Sequence, residues 1–570
     1  MAGKSLTDNE VLELVYKSDE SFSDSSDDSV SSSDNEIDDV AIADAVINDD
    51  SGDEDEILHQ DFLWETMDNY TGHREVFSCD FGPRNGAENV SDIVECFELF
   101  FDKELIQQIV TETNRYAEQY KNARGNLFPF RSFVRSWKPV TENEIYTVLG
   151  LFLLMGIVQK PTARSYFSKK RVIATPGFVD VISRERFELI CKFLHFIDNE
   201  SLPAYQGPPK LFKIYPVICH LNKKFQTLYL PNQNIAIDES LTLWKGRLSI
   251  RQYLPLKASK FGIKTFELCE SSTGYLWCFL VYTGKNTVLE SRLITPETPK
   301  TAAIVLKLLE PLLGRGHTLW MDNFYNSPEL ARQLKIQHST DCVGTLKLNR
   351  KNVPKEVKDK KLKKGEIIAR HSGPVTVLKW CDKRSVTMVS TYHSAETQRV
   401  SKRGKETEKP LCVIDYNHNM GGVDLKDQLL HMYVVERKRM TKWYLKLFKR
   451  LLNSTVLNSI VVYRHVTGRN IEQLSYRIQL VQCLFTKYSR AAGERSVPGR
   501  HASDNTIPRL TERHFLRKVS PKSEKSKPHR RCVVCTKHGK KKTSVYCCQK
   551  CDVGLCLEDC FELYHTKLNY

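Results

Sequence analysis

The apolar pattern of this 570-residue chain changes period near residue 235, and that change limits the folds open to it. Between residues 90 and 230 apolar side chains recur at helical spacing. Asp92–Asn114 and Thr141–Val158 are the clearest segments, and Thr141 followed by Glu144 is a capping-box pair. From Asn234 to Leu243 the pattern alternates as in a strand. Lys264–Glu270 and Tyr275–Tyr282 then predict a hairpin around Ser271–Gly274. Residues 300–313 predict an amphipathic helix closed by Gly314 and Gly316. Thr318–Met321 is a short strand ending at Asp322, Ser327 and Pro328 open another helix, and Cys342–Leu348 is a further strand.

Hairpin, helix, strand, helix, strand is the opening order of an RNase H-like α/β fold. Residues 350–411 interrupt it with Lys/Arg runs and short strands at Val375–Trp380 and Ser385–Thr391, which predicts an inserted β-rich module. Regular structure resumes at Val413–Tyr416, followed by a helix from Asp424. The expected organisation is therefore a multidomain α/β protein. An acidic region spans 1–60; a helical domain comes in two blocks, 90–264 and 434–490; an RNase H-like core comes in two blocks, 265–349 and 412–433. The β-rich insertion is 350–411, a basic linker 491–530, and a cysteine-rich segment 531–570.

Charge is unevenly placed. Residues 1–60 hold 19 Asp/Glu against two Lys, so the rest of the chain is far more basic than the overall +15. The acidic segment has too little apolar surface to offset chain entropy and is expected to be disordered. A body this basic suits a polyanion, although scattered Lys is also a common solvated surface. Met1-Ala2-Gly3-Lys4 leads into acids, not an apolar signal sequence. The longest apolar run, Val148 to Val158, is about half of the ~20 residues a membrane span needs, so no membrane partner is expected.

Four acids close these elements: Glu270 in LCESSTGY, Asp322 in LWMDNFYNS, and Asp424 with Asp427 in MGGVDLKDQ. Phosphoryl transfer on DNA needs the attacking and leaving oxygens stabilised, and two Mg²⁺ ions roughly 3.5–4 Å apart do this with carboxylate ligands. Asp322 falls where a strand hands over to a helix, and Asp424 and Asp427 share a helix face. Gly421 and Gly422 allow close backbone approach. Taken singly, each acid has an ordinary explanation: Asp before Asn is a common turn, and an i,i+3 acid pair is usually a solvated face.

The C-terminal segment reads Cys532-x2-Cys535-x2-His538, then Cys548-x2-Cys551-x4-Cys556-x3-Cys560-x4-His565. Paired C-x2-C hooks suit tetrahedral Zn²⁺, and eight ligands suit two ions. So short a segment needs metal to supply folding energy. Disulfides are the alternative, and the scattered cysteines of an unsignalled chain argue for a reducing compartment. Cys547 competes as a ligand, and the spacing does not fix which residues share an ion.

Read in order, AIDESLTLWKGR, QYLPLKASKFGIKTFELCESSTGY, LWMDNFYNS, VGTLKLNR and DYNHNMGGVDLKDQ strongly resemble the piggyBac transposase family, from about residue 90 to the terminus. The resemblance implies a metal-dependent DDE/D-type transposase working as a nuclear homodimer on double-stranded DNA. It would nick transposon terminal inverted repeats, form hairpins and join the freed 3′ ends to TTAA targets. By that resemblance Glu270, Asp322 and Asp424 hold Mg²⁺ and Asp427 supports them. The first position departs from the family pattern, with CES where the founding pattern has CDS; Asp238 or Glu239 in AIDES is the other choice, set against a buried ion pair. The finger resembles the cross-braced module that ends these transposases, and the helical blocks correspond to a dimerisation and DNA-binding domain. Arg247, Arg251, Lys257, Lys260 and Lys264, and Arg437, Lys438, Arg439 and Lys442 with Trp443, are candidate DNA contacts. The run from Arg517 to Arg531 is a candidate nuclear import signal or DNA-binding arm. The alternative reading is a domesticated, non-catalytic DNA- or chromatin-binding descendant.

Overall fold

A computed structural model describes residues 62–124, 132–255, 260–285, 287–402, 405–437, 440–489, 514–519 and 528–567. The acidic region, Lys257, Lys438, Arg439 and most of the basic linker lie outside the described residues. The chain divides into two units, 1–491 and 492–570.

The first unit is built on a nine-stranded mixed sheet. Its strands, in chain order, are β1 (Asn234–Leu243), β2 (Arg251–Tyr253), β3 (Phe261–Glu270), β4 (Leu276–Val281), β5 (Thr318–Met321), β6 (Asp341–Thr345), β7 (Ile367–Ser372), β8 (Val375–Cys381) and β9 (Ser385–Ser390). The order across the sheet is β2-β3-β1-β5-β6-β9-β8-β7, with β4 also paired to β3. β1, β5 and β6 run parallel, and the other pairings are antiparallel. β5 is buried at all four positions, as a strand covered on both faces should be.

Two expected boundaries shift. β1 is the centre of the sheet, so the sheet begins at Asn234 and a division at residue 264 would cut through β3. Residues 350–411 do not form a separate module: β9 pairs with β6, and β8 and β7 follow, one face of these strands joining the main core through Ile368, Val375, Val377 and Val389 and the other packing on Cys412 and Val413. Only the hairpin of β10 (Thr397–Lys402) and β11 (Lys405–Pro410) stands off that sheet.

Helices cover the sheet and form a layer of their own. They include α1 (Ile93–Glu98), α2 (Lys103–Arg124), α3 (Glu142–Ile157), α4 (Arg184–Phe193), α5 (Tyr215–Leu228), α6 (Lys300–Leu309), α7 (Pro328–His338), α8 (Leu411–Asn419), α9 (Gly422–Met432), α10 (Trp443–Thr467) and α11 (Gln473–Tyr488). The Thr141–Glu144 capping box starts α3 in both of its hydrogen bonds. Ser327 caps α7 ahead of Pro328. The stretch from Asp92 to Asn114 is two helices, because Asp102 caps Leu105 N at 3.1 Å and starts a new one. Helices distant in sequence join: Tyr146 of α3 stacks on Tyr488 at the end of α11 at 4.1 Å, and the Tyr476 hydroxyl donates to Ile93 O.

α10 is buried on every side from Trp443 to Tyr463. A helix so placed must satisfy its polar side chains internally. Asn458 takes both backbone groups of Leu276 on β4, at 2.9 and 2.8 Å. Asn453 donates to the carbonyls of Leu430 and Tyr433 at the end of α9. Among the described residues, no helix is long and apolar enough to cross a membrane.

Candidate active site

The parallel register of β1, β5 and β6 sets the site. Ile237 pairs with Met321, and Met321 with Gly344, so the next residues of the three strands, Asp238, Asp322 and Thr345, stand at one level. One pair earlier, Ala236, Trp320 and Val343 form a small apolar cluster with Tyr416 and Met420 above it. Side chains two apart point to the same face, so Asp238 and Asp322 project beside each other toward α8 and α9. Asp322 is half-buried and accepts from Phe324 N at 2.9 Å. Burial, reinforced by Glu239, raises its carboxyl above the usual carboxylate range, against the pull of Phe324 N–H and two lysines.

α9 lies across this face. A Cβ on Gly422 would meet Glu270 O, Ser271 Cα and the Ala236 Cβ at 3.1–3.4 Å, and a Cβ on Gly274 (φ +71°) would meet Lys426 N at 3.0 Å. Glycines at both places let the helix start against the strand. Gly421 has open space around it. Further along, Asp427 accepts from the Ser240 hydroxyl at 2.9 Å. Asp424, exposed, lies on the stretch of α9 between these two contacts. Asp238, Asp322 and Asp424 all act on the same phenol, that of Tyr416. Burial first, and then these three carboxylates, push it up to about 12 although Thr345 beside it pulls the other way. Among the described residues the oxygens of the three acids do not all fall within 4.8 Å of one another, so the set is wider than a one-ion cage.

Asp427 sits below this group. It pairs with Lys426 at 2.9 Å and Arg450 at 2.5 Å, and Lys426 also pairs with Glu267. Burial would raise its carboxyl, but Lys426 and then Arg450 outweigh that and hold it at about 2. The network ties α9 to the sheet and to α10.

Glu270 does not join the site. It ends β3, which runs antiparallel to β1, and it pairs with Ile235, so its side chain falls on the face of the sheet away from Asp238. Its carboxylate is 1% exposed and accepts from Asn232 N at 2.8 Å, the Tyr229 hydroxyl at 3.2 and 3.3 Å, and the Thr273 hydroxyl. The CES position is a buried turn clamp. Asp238, the alternative in AIDES, takes its place, while its neighbour Glu239 points to the other face and receives Lys264 at 3.3 Å and the Tyr325 hydroxyl at 2.8 Å.

The second unit gathers its ligands into two sets, Cys532/Cys535/Cys556/Cys560 and His514/Cys548/Cys551/His565. They interleave along the chain, so the module is cross-braced. Zinc–sulfur bonds of about 2.3 Å in a tetrahedron separate neighbouring ligand atoms by about 3.8 Å. Here Cys535 lies 3.9 and 3.6 Å from Cys556 and Cys560, and Cys551 lies 3.4 and 3.7 Å from His514 Nδ1 and His565 Nε2. His565 Nδ1 lies 2.8 Å from Phe561 O; donation there leaves Nε2 free for a metal. His538 belongs to neither set; His514, inside the expected linker, completes the second one. Cys547 is buried on the strand Tyr546–Cys548, which pairs with Leu516–Lys518, and alternation turns it away from Cys548.

A family model described as Transposase IS4 matches residues 92–460, more than half of the chain, and one described as a DDE_Tnp_1-like zinc finger matches residues 512–566. The chain belongs to the piggyBac transposase family. The human piggyBac transposable element-derived protein 3 is 26% identical over 490 residues, 83% of this chain and 76% of that protein. The human piggyBac transposable element-derived protein 2 is 27% identical over 411 residues, 69% of this chain and 65% of that protein. In fold, the chain is similar to a piggyBac transposase solved by cryo-EM in a synaptic complex with hairpin DNA. The TM-score is 0.66 at 23% identity, covering 84% of this chain and 99% of that one.

Within this piggyBac-family chain the expected basic contacts separate. Arg247 and Lys260 are exposed, and Arg251 is half-buried with its guanidinium over Phe261. Lys264 is buried against Phe266 and Phe324 and serves Glu239. Arg437 donates to Pro161 O. Lys442 is buried and donates to Lys192 O at 2.8 Å, and Trp443 is core. Burial lowers Lys449 to about 8. The basic residues of α10 thus serve the interior.

Proposed function

We propose that this chain is a piggyBac-type DNA transposase with an RNase H-like core, in which Asp238, Asp322 and Asp424 form the acid site and Asp427 holds α9 in place. The observation that carries this reading is the common level of Asp238 and Asp322 on adjacent parallel strands, with the helix that bears Asp424 packed against the first of them. The donor set is all carboxylate oxygen and half-buried or open to solvent, which fits Mg²⁺. Bound divalent ions would stabilise the attacking and leaving oxygens of an in-line phosphoryl transfer. The chain's own contribution is to fix the acids on rigid elements: two on strand ends, one on a helix pinned by Lys426 and Arg450. Both Cys/His sets fit Zn²⁺, one ion each. Double-stranded DNA is the partner, with terminal inverted repeats and TTAA targets carried over from the family, and the reading extends to a homodimer acting in the nucleus.

The test is Asp322→Ala in a Mg²⁺-dependent cleavage assay on DNA taken from both flanks of the coding sequence. Cleavage is expected to be lost while DNA binding persists. Undiminished cleavage by the variant would refute the site. Binding without cleavage by the wild type would favour a non-catalytic DNA-binding descendant.

A further inference from the structure

Lys264 and Lys442 turn inward, but three other cations stand in a row on an exposed loop of the first unit. Lys169, Lys170 and Arg171 follow the segment after α3, and among the described residues no ion pair involves their side chains. Val172 comes next, 96% exposed, with Ile173 beside it at 43%. A single exposed apolar side chain is ordinary on a loose loop. This loop is held. Half-buried Lys160 donates to Ser165 O at 3.2 Å, to Thr175 Oγ1 at 2.7 Å and to Ile173 O, which uses all three ammonium donors. Thr175 Oγ1 donates to Tyr166 O at 3.0 Å, and the Tyr166 hydroxyl receives Lys160 N–H at 3.0 Å. Ile173 N–H donates to Lys170 O at 2.9 Å and closes a turn with Arg171 and Val172 at its centre.

The base of the loop is tied to the helix that carries Asp424. A Cβ on Gly156 of α3 would meet Tyr433 O at 3.1 Å and Val435 Cγ2 at 3.3 Å, and Arg437 donates to Pro161 O. Tyr433 to Arg437 is the segment directly after α9, and α9 rises about 12 Å from Asp424 to Met432. Acids and loop are therefore joined through one helix and the turn after it. A fixed tip that presents three unpaired cations and an apolar side chain to water has the chemistry of a nucleic-acid wedge: charge for the phosphates, an apolar point for the base stack.

We propose that residues 169–173 grip and bend the DNA substrate: Lys169, Lys170 and Arg171 contact backbone phosphates, and Val172 enters the minor groove against a base step. This rests on double-stranded DNA being the partner. A minor groove about 6 Å wide admits the single side chain that a tight turn offers. Phosphate contacts supply affinity without sequence choice. An apolar side chain pressed between base steps partly unstacks them and kinks the duplex by about 20–90°.

The experiment compares full-length, zinc-loaded wild type, the triple variant Lys169→Gln, Lys170→Gln, Arg171→Gln, and Val172→Ser. The probe is a short duplex from one flank of the coding sequence with a donor–acceptor fluorophore pair at its ends. Affinity is followed against salt, the bend by energy transfer at saturating protein, and thermal unfolding in parallel. All four side chains are exposed, so melting temperatures are expected to be unchanged. The triple variant is expected to lower the slope of log affinity against log salt by about 2 to 3. Val172→Ser is expected to keep the wild-type slope and lose the bend. A wild-type slope in the triple variant would overturn the phosphate contacts. A wild-type bend in Val172→Ser, or a straight duplex in the wild-type complex, would overturn the wedge. A lower melting temperature in either variant would overturn the proposal as well, since the loop would then serve the fold. No duplex bound by the wild type at low salt would instead overturn the reading of DNA as the partner.

Discussion

Glu270→Gln separates two roles that sequence motifs confound. The Glu270 carboxylate receives three donors, one from the backbone and two from hydroxyls, in a pocket closed to water. Hydrogen bonds to a charged group contribute about 1.5–3 kcal/mol each. Glutamine keeps one acceptor for Asn232 N–H but turns an NH₂ toward the hydroxyls, which must rotate to accept. The expected net loss is about 2–3 kcal/mol, one strong bond weakened and one re-formed as a neutral pair. At roughly 2–4 °C per kcal/mol for a large domain, the melting temperature should fall by roughly 4–12 °C. Mn²⁺ affinity should stay at the wild-type value, because the Glu270 side chain pairs with Ile235 and so lies on the face of the sheet away from Asp238. Differential scanning calorimetry and Mn²⁺ titration of the same preparation decide it. A variant that unfolds at the wild-type temperature but loses Mn²⁺ would refute the reasoning from strand register.

The zinc assignment predicts that His514→Ala releases one of two zinc ions per chain, read by metal analysis after gel filtration, whereas His538→Ala retains both. The Asp427 network predicts an acid limb of stability. Its folded carboxyl, held at about 2 against about 3.9 unfolded, contributes stability that is fully present above pH 4 and fades as pH falls toward 2. In Asp427→Asn the unfolding free energy from denaturant titration should be lower near neutrality, by an amount on the order of 2 kcal/mol, and its slope with pH should flatten between about pH 4 and 2. An unchanged slope would mean the pairing with Lys426 and Arg450 contributes nothing.

Most of the sheet was legible because periodicity and turn chemistry act locally. The capping box at Thr141, the Ser327–Pro328 helix start and the β3–β4 hairpin around Ser271–Gly274 each follow from residues a few positions apart. What failed was long-range. Nothing in LCESSTGY states how β3 registers against β1, and that register alone puts Glu270 opposite Ile235, on the face of the sheet away from Asp238. The same holds for Lys264 and Lys442, whose charges look like a DNA face in one dimension and turn inward in three. The signal that could have found Asp238 was available: it lies within the predicted strand Asn234–Leu243, which must pair with the strand carrying Asp322 if both are central. His514 was hidden by its distance from the first C-x2-C hook and by the basic linker around it.

α10 enters the chain after every acid of the site, yet Arg450 seats Asp427, Asn453 closes the end of α9 and Asn458 clamps β4. A ribosome that has delivered Asp424 and Asp427 has therefore delivered an unfinished sheet edge, and the core can close only once the chain to about Tyr463 has emerged. Gene fragments cut short between these points would encode every acid of the site without the helix that braces them. For decayed copies of such an element, an intact set of aspartates is a weaker sign of a working protein than an intact buried helix after them.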